Sequence, residues 1–263
     1  NKIKKIQINL IDLISNTILP NSKPFFSLKK NIVGESHLTK IKKIISFLKK
    51  KKLKYIFISA PENVAWLLNI RGYDNPNSPI PNCRLFISEE KKIFLIVENK
   101  KVKNIIKDKK ISKKQIIEPN KFKFFINKIK KGKILIDKKS CSLFYENLFK
   151  ENLKIFKGND PIYFLKSIKT KAEINHLINT HILDGVALTK FIYWIKNVNK
   201  KTITEVKAQN KLESFRRRNS KYLFPSFDTI AGAGENGAIV HYRATKKRTK
   251  KIKKKDIFLC DSG

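Results

Sequence analysis

The chain has 263 residues, which at roughly 150 residues per domain predicts two units rather than one, and its 41% hydrophobic and 10% aromatic content with only 9 Gly and 9 Pro excludes a disordered tail or a fibrous repeat. The formal charge of +38 invites a polyanion-binding reading, but Lys supplies 52 of the 59 cations and Arg, the better phosphate fork, only 7. The excess is also spread evenly, +24 over residues 1–160 and +14 over 161–263, which argues against a nucleic-acid face, and no apolar run reaches the roughly 18 residues of a membrane helix.

Residues 1–30 mix the apolar stretch Ile8 to Ile14 with the loop Pro20 to Pro24 and read as a linker or the tail of an upstream domain. From Ser36 the spacing of Leu38, Ile41, Ile44, Ile45 and Leu48 predicts an amphipathic helix. A strand at Tyr55 to Ser59 and a short helix at Asn63 to Leu68 follow, then a turn-rich loop, Gly72 to Asn82. Strands Arg84 to Ser88 and Lys92 to Val97 form a hairpin through Glu89-Glu90. Beyond it, helices near 100–107, 122–130 and 141–149 alternate with strands near 115–118, 133–137 and 153–156, which predicts an α/β layer with a mixed sheet over residues 31–160.

The cluster Gly158-Asn159-Asp160-Pro161 breaks this pattern and marks a domain boundary. Thr170 to Glu173 spells a capping box, and Ile174, Leu177, Ile178, Ile182, Leu188, Ile192 and Ile195 continue an apolar stripe along a helix of about seven turns. Thr202-Ile203-Thr204-Glu205 spells a second capping box and opens another helix through Leu212 to Phe215. Strands are then expected at Ser226 to Ile230, Ala238 to Tyr242 and Asp256 to Cys260, with a hairpin turn at Asn236-Gly237, so residues 161–263 read as α+β. The chain contains no Met and stops at Gly263 directly after a strand-like run, so it reads as an internal piece of a longer protein.

Cys83, Cys141 and Cys260 have no paired spacing and suit free thiols in a reducing compartment, here the cytoplasm. His37, His176 and His181 fall in or beside amphipathic helices and read as packed or solvated. His241, on a short strand after a glycine turn, could face a cleft or pack in a core. Asp261, just past an apolar strand, could ligate a hard divalent cation or simply start a turn. The glycine loop 232–237 precedes a strand rather than a helix, so it does not read as a phosphate cradle.

The run from Ser226 to Tyr242, together with Ile257 to Gly263, resembles the opening of the catalytic pita-bread domain of the Xaa-Pro aminopeptidase (aminopeptidase P) family. Glu62 to Asp74 resembles that family's noncatalytic creatinase-type domain, Pro161 to Ile174 its domain junction, and His181 to Leu188 and Thr204 to Arg216 its first two catalytic helices. Asn9 to Ile14 with the following loop resembles the exit from the upstream domain of long members. The resemblance implies an α/β creatinase-like domain at 31–160 followed by the first part of an α+β pita-bread domain at 161–263, truncated at its end. It also implies hydrolysis of the bond before a proline in second position, by water held between two divalent metals, usually manganese, which lower the pKa of that water and stabilise the oxyanion. Asp261 matches the first of the family's five metal ligands and His241 a substrate-contacting histidine; the other ligands would lie beyond Gly263, leaving the chain alone inactive. A homodimer is implied for the whole protein. Departures from the pattern are Cys260, where an aliphatic residue is usual, and the basic stretch Lys246 to Lys255. Two other readings stand beside this one: a noncatalytic relative that binds nucleic acid or a protein, and a prolidase acting on dipeptides only.

Overall fold

The computed structural model describes residues 23–199 and 203–263. The stretch Ile8 to Ile14 and the capping residue expected at Thr202 lie outside them. The chain divides into two compact units, one built from Lys42–Asp74, Ile80–Asp160 and the described residues before Leu28, the other from Leu28–Ile41, Asn75–Pro79 and Pro161–Gly263.

In chain order, β1 (Phe26–Ser27), α1 (Lys30–Val33) and α2 (His37–Lys50) lead into β2 (Tyr55–Ile58), α3 (Pro61–Leu68) and β3 (Ile70–Arg71). Ile41, Ile44, Ile45 and Leu48 are buried along α2 as the spacing requires, whereas Leu38 stays exposed. Proline at the first turn of α3 and Asn69 in the left-handed region just past its end fix the limits of that helix. The hairpin strands are β4 (Arg84–Ser88) and β5 (Ile93–Ile96), and Lys91 takes a positive φ of 66° to close the turn. Then follow α4 (Lys103–Lys107), β6 (Ile116–Ile117), α5 (Phe122–Lys128), β7 (Lys133–Asp137), α6 (Leu143–Lys150) and β8 (Lys154–Gly158).

Six of these strands form one mixed sheet in the order β6-β5-β4-β2-β7-β8. β4 is antiparallel to both β2 and β5, while β7 runs parallel to β2 and β8. All of β2 is buried, as expected for a central strand covered on both faces. Phe57 anchors the core, its ring centroid 4.8 Å from Tyr145, 5.0 Å from Phe149 and 5.6 Å from Phe122, so that β2, α5 and α6 meet through aromatic contacts. At the carboxyl end of β7, buried Asp137 accepts hydrogen bonds from the Ser140 amide and hydroxyl at 2.9 and 2.7 Å and from the Asp160 amide at 3.1 Å. Asp160 in turn accepts from Asn63 at 2.8 Å, tying α3 to the end of the sheet.

The second unit contains α7 (Pro161–Ser167), the 27-residue α8 (Lys171–Asn197), α9 (Glu205–Arg216) and the antiparallel pair β9 (Ile230–Ala233) and β10 (Phe258–Asp261). The capping box opening α8 is present: Thr170 accepts from the Glu173 amide and Glu173 from the Thr170 amide, while the Thr170 hydroxyl also donates to the Val33 carbonyl. Thr170→Ala is expected to cost about 1 kcal/mol of stability, measured by denaturant unfolding.

The apolar stripe expected on α8 does not describe how that helix packs. Its buried residues are Ala187 (5% exposed) and Phe191 (3%), with Trp194 and Ile195 beside them, whereas Ile174, Leu177, Ile178, Ile182, Leu188 and Ile192 are exposed. The helix is apolar over more than one face, and the second unit's core with α9 lies against its C-terminal half. Arg216, itself buried, reaches Asp184 with a two-pronged ion pair at 2.7 and 3.2 Å that fixes α9 against α8.

Candidate functional site

The sheet of the second unit departs from the sequence reading at each expected strand and at the turn between the first two. The strand expected at Ser226 to Ile230 begins only at Ile230 and runs through Ala231, Gly232 and Ala233, because its register is set by β10, with Phe258 opposite Ala233 and Asp261 opposite Ile230. No hairpin turn forms at Asn236-Gly237. A 3₁₀ helix occupies Gly234–Ala238, entered through Gly234 at φ 57°, and the Asn236 side chain is committed elsewhere. The turn folds onto β9 so closely that a methyl group on Gly232 would stand 2.8 Å from the Gly237 nitrogen. Finally, Ala238 to Tyr242 is not a strand. His241 sits in a turn at φ 53°, since buried Tyr242 is drawn inward behind it.

A single carboxylate organises this region. Glu205, in the first turn of α9, is 0% exposed. One oxygen, Oε1, accepts from the Ala233 amide at 2.8 Å and from Asn236 Nδ2 at 2.9 Å. The other, Oε2, accepts from the Tyr242 hydroxyl at 2.9 Å and from the Lys250 amide at 2.8 Å. Asn236 Nδ2 also donates to the Tyr242 oxygen at 2.9 Å, which closes a triangle of three side chains. The sequence pattern assigned Glu205 to a capping box with Thr202. The cap observed is Thr204, which accepts from the Lys207 amide, and the Glu205 carboxylate turns inward instead. Sequence reasoning missed this residue because its partners are remote in the chain; the available signal was a polar Asn236 and a hydroxyl-bearing Tyr242 flanking the apolar pair Ile239-Val240.

Burial alone would raise the Glu205 pKa, but the donors from Lys250, Ala233, Asn236 and Tyr242 outweigh it and hold the carboxyl below its usual range. A depressed folded-state pKa means stability that is complete above the ordinary carboxylate range and is lost as pH falls through the folded value. Thermal unfolding of wild type and Glu205→Gln should therefore differ most near neutral pH and converge in acid.

The two residues singled out for function stand at the edge of this framework. Along β10, Phe258 and Cys260 pack on the core formed by Phe191, Ala208, Leu212 and Ala233, so by strand alternation Leu259 and Asp261 face the opposite side, where both are exposed. Asp261 is thus the last residue of the strand rather than the first beyond it. His241 is exposed beside Val240, which is 84% exposed. No hydrogen bond or ion pair joins the His241 and Asp261 side chains among the described residues. Asp261 offers one hard oxygen ligand of the kind divalent cations take. Among the described residues no three His, Cys, Asp or Glu side chains converge on a metal position, so this set does not by itself make a two-metal centre.

Two family models match successive parts of the chain. Residues 19–173 match the family model described as the creatinase/prolidase N-terminal domain. The chain belongs to the creatinase/prolidase family. Residues 175–263 match the model of metallopeptidase family M24. Xaa-Pro aminopeptidase ApepP of Drosophila melanogaster is 33% identical over 98% of this chain, and Xaa-Pro aminopeptidase 1 of Dictyostelium discoideum is 32% identical over 100% of it. The chain spans only 43% and 42% of the lengths of these two relatives. Among solved structures, an X-prolyl aminopeptidase of Caenorhabditis elegans, described as a cytosolic enzyme with a di-nuclear active site, superposes with a TM-score of 0.84 at 24% identity, over 98% of this chain and 44% of that one. An Xaa-Pro dipeptidase of Bacillus anthracis gives 0.62 at 18% identity, over 87% and 61%. The fold is therefore that of a creatinase-type N-terminal domain followed by the start of a family M24 domain.

Proposed function

We propose that the whole protein carrying this chain is an Xaa-Pro aminopeptidase that releases the first residue of peptides with proline in second position, using two divalent metal ions, with manganese as the metal. The observation that carries the reading is Asp261, an outward-facing carboxylate at the end of a paired strand; the sequence resemblance gives this position the role of the family's first metal ligand. Asp261 contributes one ligand and the remaining ligands lie outside this chain. His241, presented on a fixed turn, contacts the substrate near the scissile bond. Residues 31–160 are the noncatalytic domain and 161–263 the beginning of the catalytic one.

The aminopeptidase reading is favoured over a dipeptidase because the relatives 33% and 32% identical over 98% and 100% of this chain are named Xaa-Pro aminopeptidases. A noncatalytic nucleic-acid binder is favoured only by the +38 charge, which is diffuse. The three cysteines are free, as suits a reducing compartment, and the Caenorhabditis elegans neighbour is described as cytosolic, which supports a cytoplasmic setting. The active form is a homodimer.

The whole protein stripped with a chelator and reloaded with manganese should cleave an Xaa-Pro peptide, and the 263-residue chain alone should not, since one carboxylate does not hold two metals against water. Xaa-Pro cleavage by the 263-residue chain alone would overturn the ligand assignment.

A further inference from the structure

We propose that Glu205 is a positioning residue for His241, acting through Tyr242 and Asn236, and this rests on the reading of His241 as a substrate contact. The geometry supports a dedicated role over a general packing one. A fully buried carboxylate is held by four donors drawn from three separate stretches of chain: Ala233 at the end of β9, Asn236 and Tyr242 on either side of the exposed turn, and Lys250 beyond it. The Glu205 amide donates to the Lys250 carbonyl at 3.0 Å, so the same residue grips that segment from both its backbone and its side chain.

The constraint converges on His241. Tyr242, directly after it, is fixed at its hydroxyl by Glu205 and Asn236 and at its amide by the Ile239 carbonyl at 3.1 Å. Between those anchors Val240 and His241 have only a short exposed path, and His241 is forced to a positive φ that a residue with a side chain adopts at a cost. Such a conformation persists where its surroundings over-determine it, and here the surroundings are the Glu205 triangle. The imidazole is thereby carried on a rigid turn rather than on a mobile loop.

A double-mutant cycle in the metal-loaded whole protein tests the assignment. Glu205→Gln keeps the shape of the side chain but sets an amide donor against donors already present. It should lower kcat/KM on an Xaa-Pro peptide about 10-fold in the wild-type background and by less than about 2-fold once His241 is Ala, because the residue acts through His241. Hydrogen exchange should rise in peptides covering 231–251 and stay unchanged in those covering Tyr55–Ile58. Tyr242→Phe, which removes one of the four bonds and the link to Asn236, carries the same cycle with a milder change if Glu205→Gln does not fold. Equal costs in the two backgrounds, or an unchanged rate with loosened exchange, would overturn the positioning role while leaving His241 in place. A wild-type rate for His241→Ala alone would instead overturn the reading on which the proposal rests.

Discussion

Asp261→Ala in the whole protein is expected to lose metal and activity together. The carboxylate sits on the face of β10 opposite the core, so removing it opens no cavity and breaks no strand pairing; the backbone register from Phe258 to Asp261 is untouched. On the proposed assignment, what disappears is one hard oxygen ligand. Because a missing ligand weakens affinity rather than folding, bound manganese should fall below that of wild type while the unfolding midpoint of the metal-free protein is unchanged, and excess manganese should restore part of the rate. Retention of both metals at full rate would mean that the family's first ligand is not carried by Asp261.

His241→Ala should show the opposite signature. Its side chain is exposed and makes no hydrogen bond among the described residues that holds the fold, so metal content and stability should be nearly unchanged. The rate constant kcat/KM should fall by roughly 10- to 1,000-fold, the range expected when one hydrogen bond stabilising the transition state is lost. The positive φ at this position adds a check: His241→Gly, which relaxes the backbone, should be no less stable than wild type and as defective in rate as His241→Ala. Unfolding of His241→Ala without a separate kinetic defect would return the residue to a purely structural role.

The first unit was more legible in the sequence than the second, for reasons visible at particular residues. Tyr55 to Ile58 is an unbroken apolar run because β2 is central and covered on both faces, and the spacing of Ile44, Ile45 and Leu48 follows the helix period because one side of α2 packs. These are local signals. In the second unit the decisive interactions are long-range. Ile230 to Ala233 carries an Ala-Gly-Ala run with little side-chain alternation, so only pairing with Phe258 to Asp261 shows where the strand lies. A capping pattern at Thr202 to Glu205 is indistinguishable in sequence from a helix start whose glutamate serves Ala233, Asn236, Tyr242 and Lys250. On α8 the apolar residues exceed what one face needs, and periodicity does not choose between Phe191, which is buried, and Ile182, which is 59% exposed.

Asp261 and His241 were reached by their match to family motifs; spacing alone left both with ordinary alternatives. In the structure Asp261 is an outward-facing carboxylate at the end of a paired strand, and His241 lies on a turn anchored at Tyr242. The +38 charge, by contrast, does not single out either residue, being spread over both halves of the chain.

The most direct measurement is product analysis with the manganese-loaded whole protein on two peptides, each longer than a dipeptide, that differ only in whether proline or alanine is second. The account predicts release of the first residue from the proline peptide and little from the alanine one, with activity lost on chelation and recovered with manganese. No release from either peptide by fully loaded protein, with tight and salt-sensitive RNA binding in its place, would contradict it.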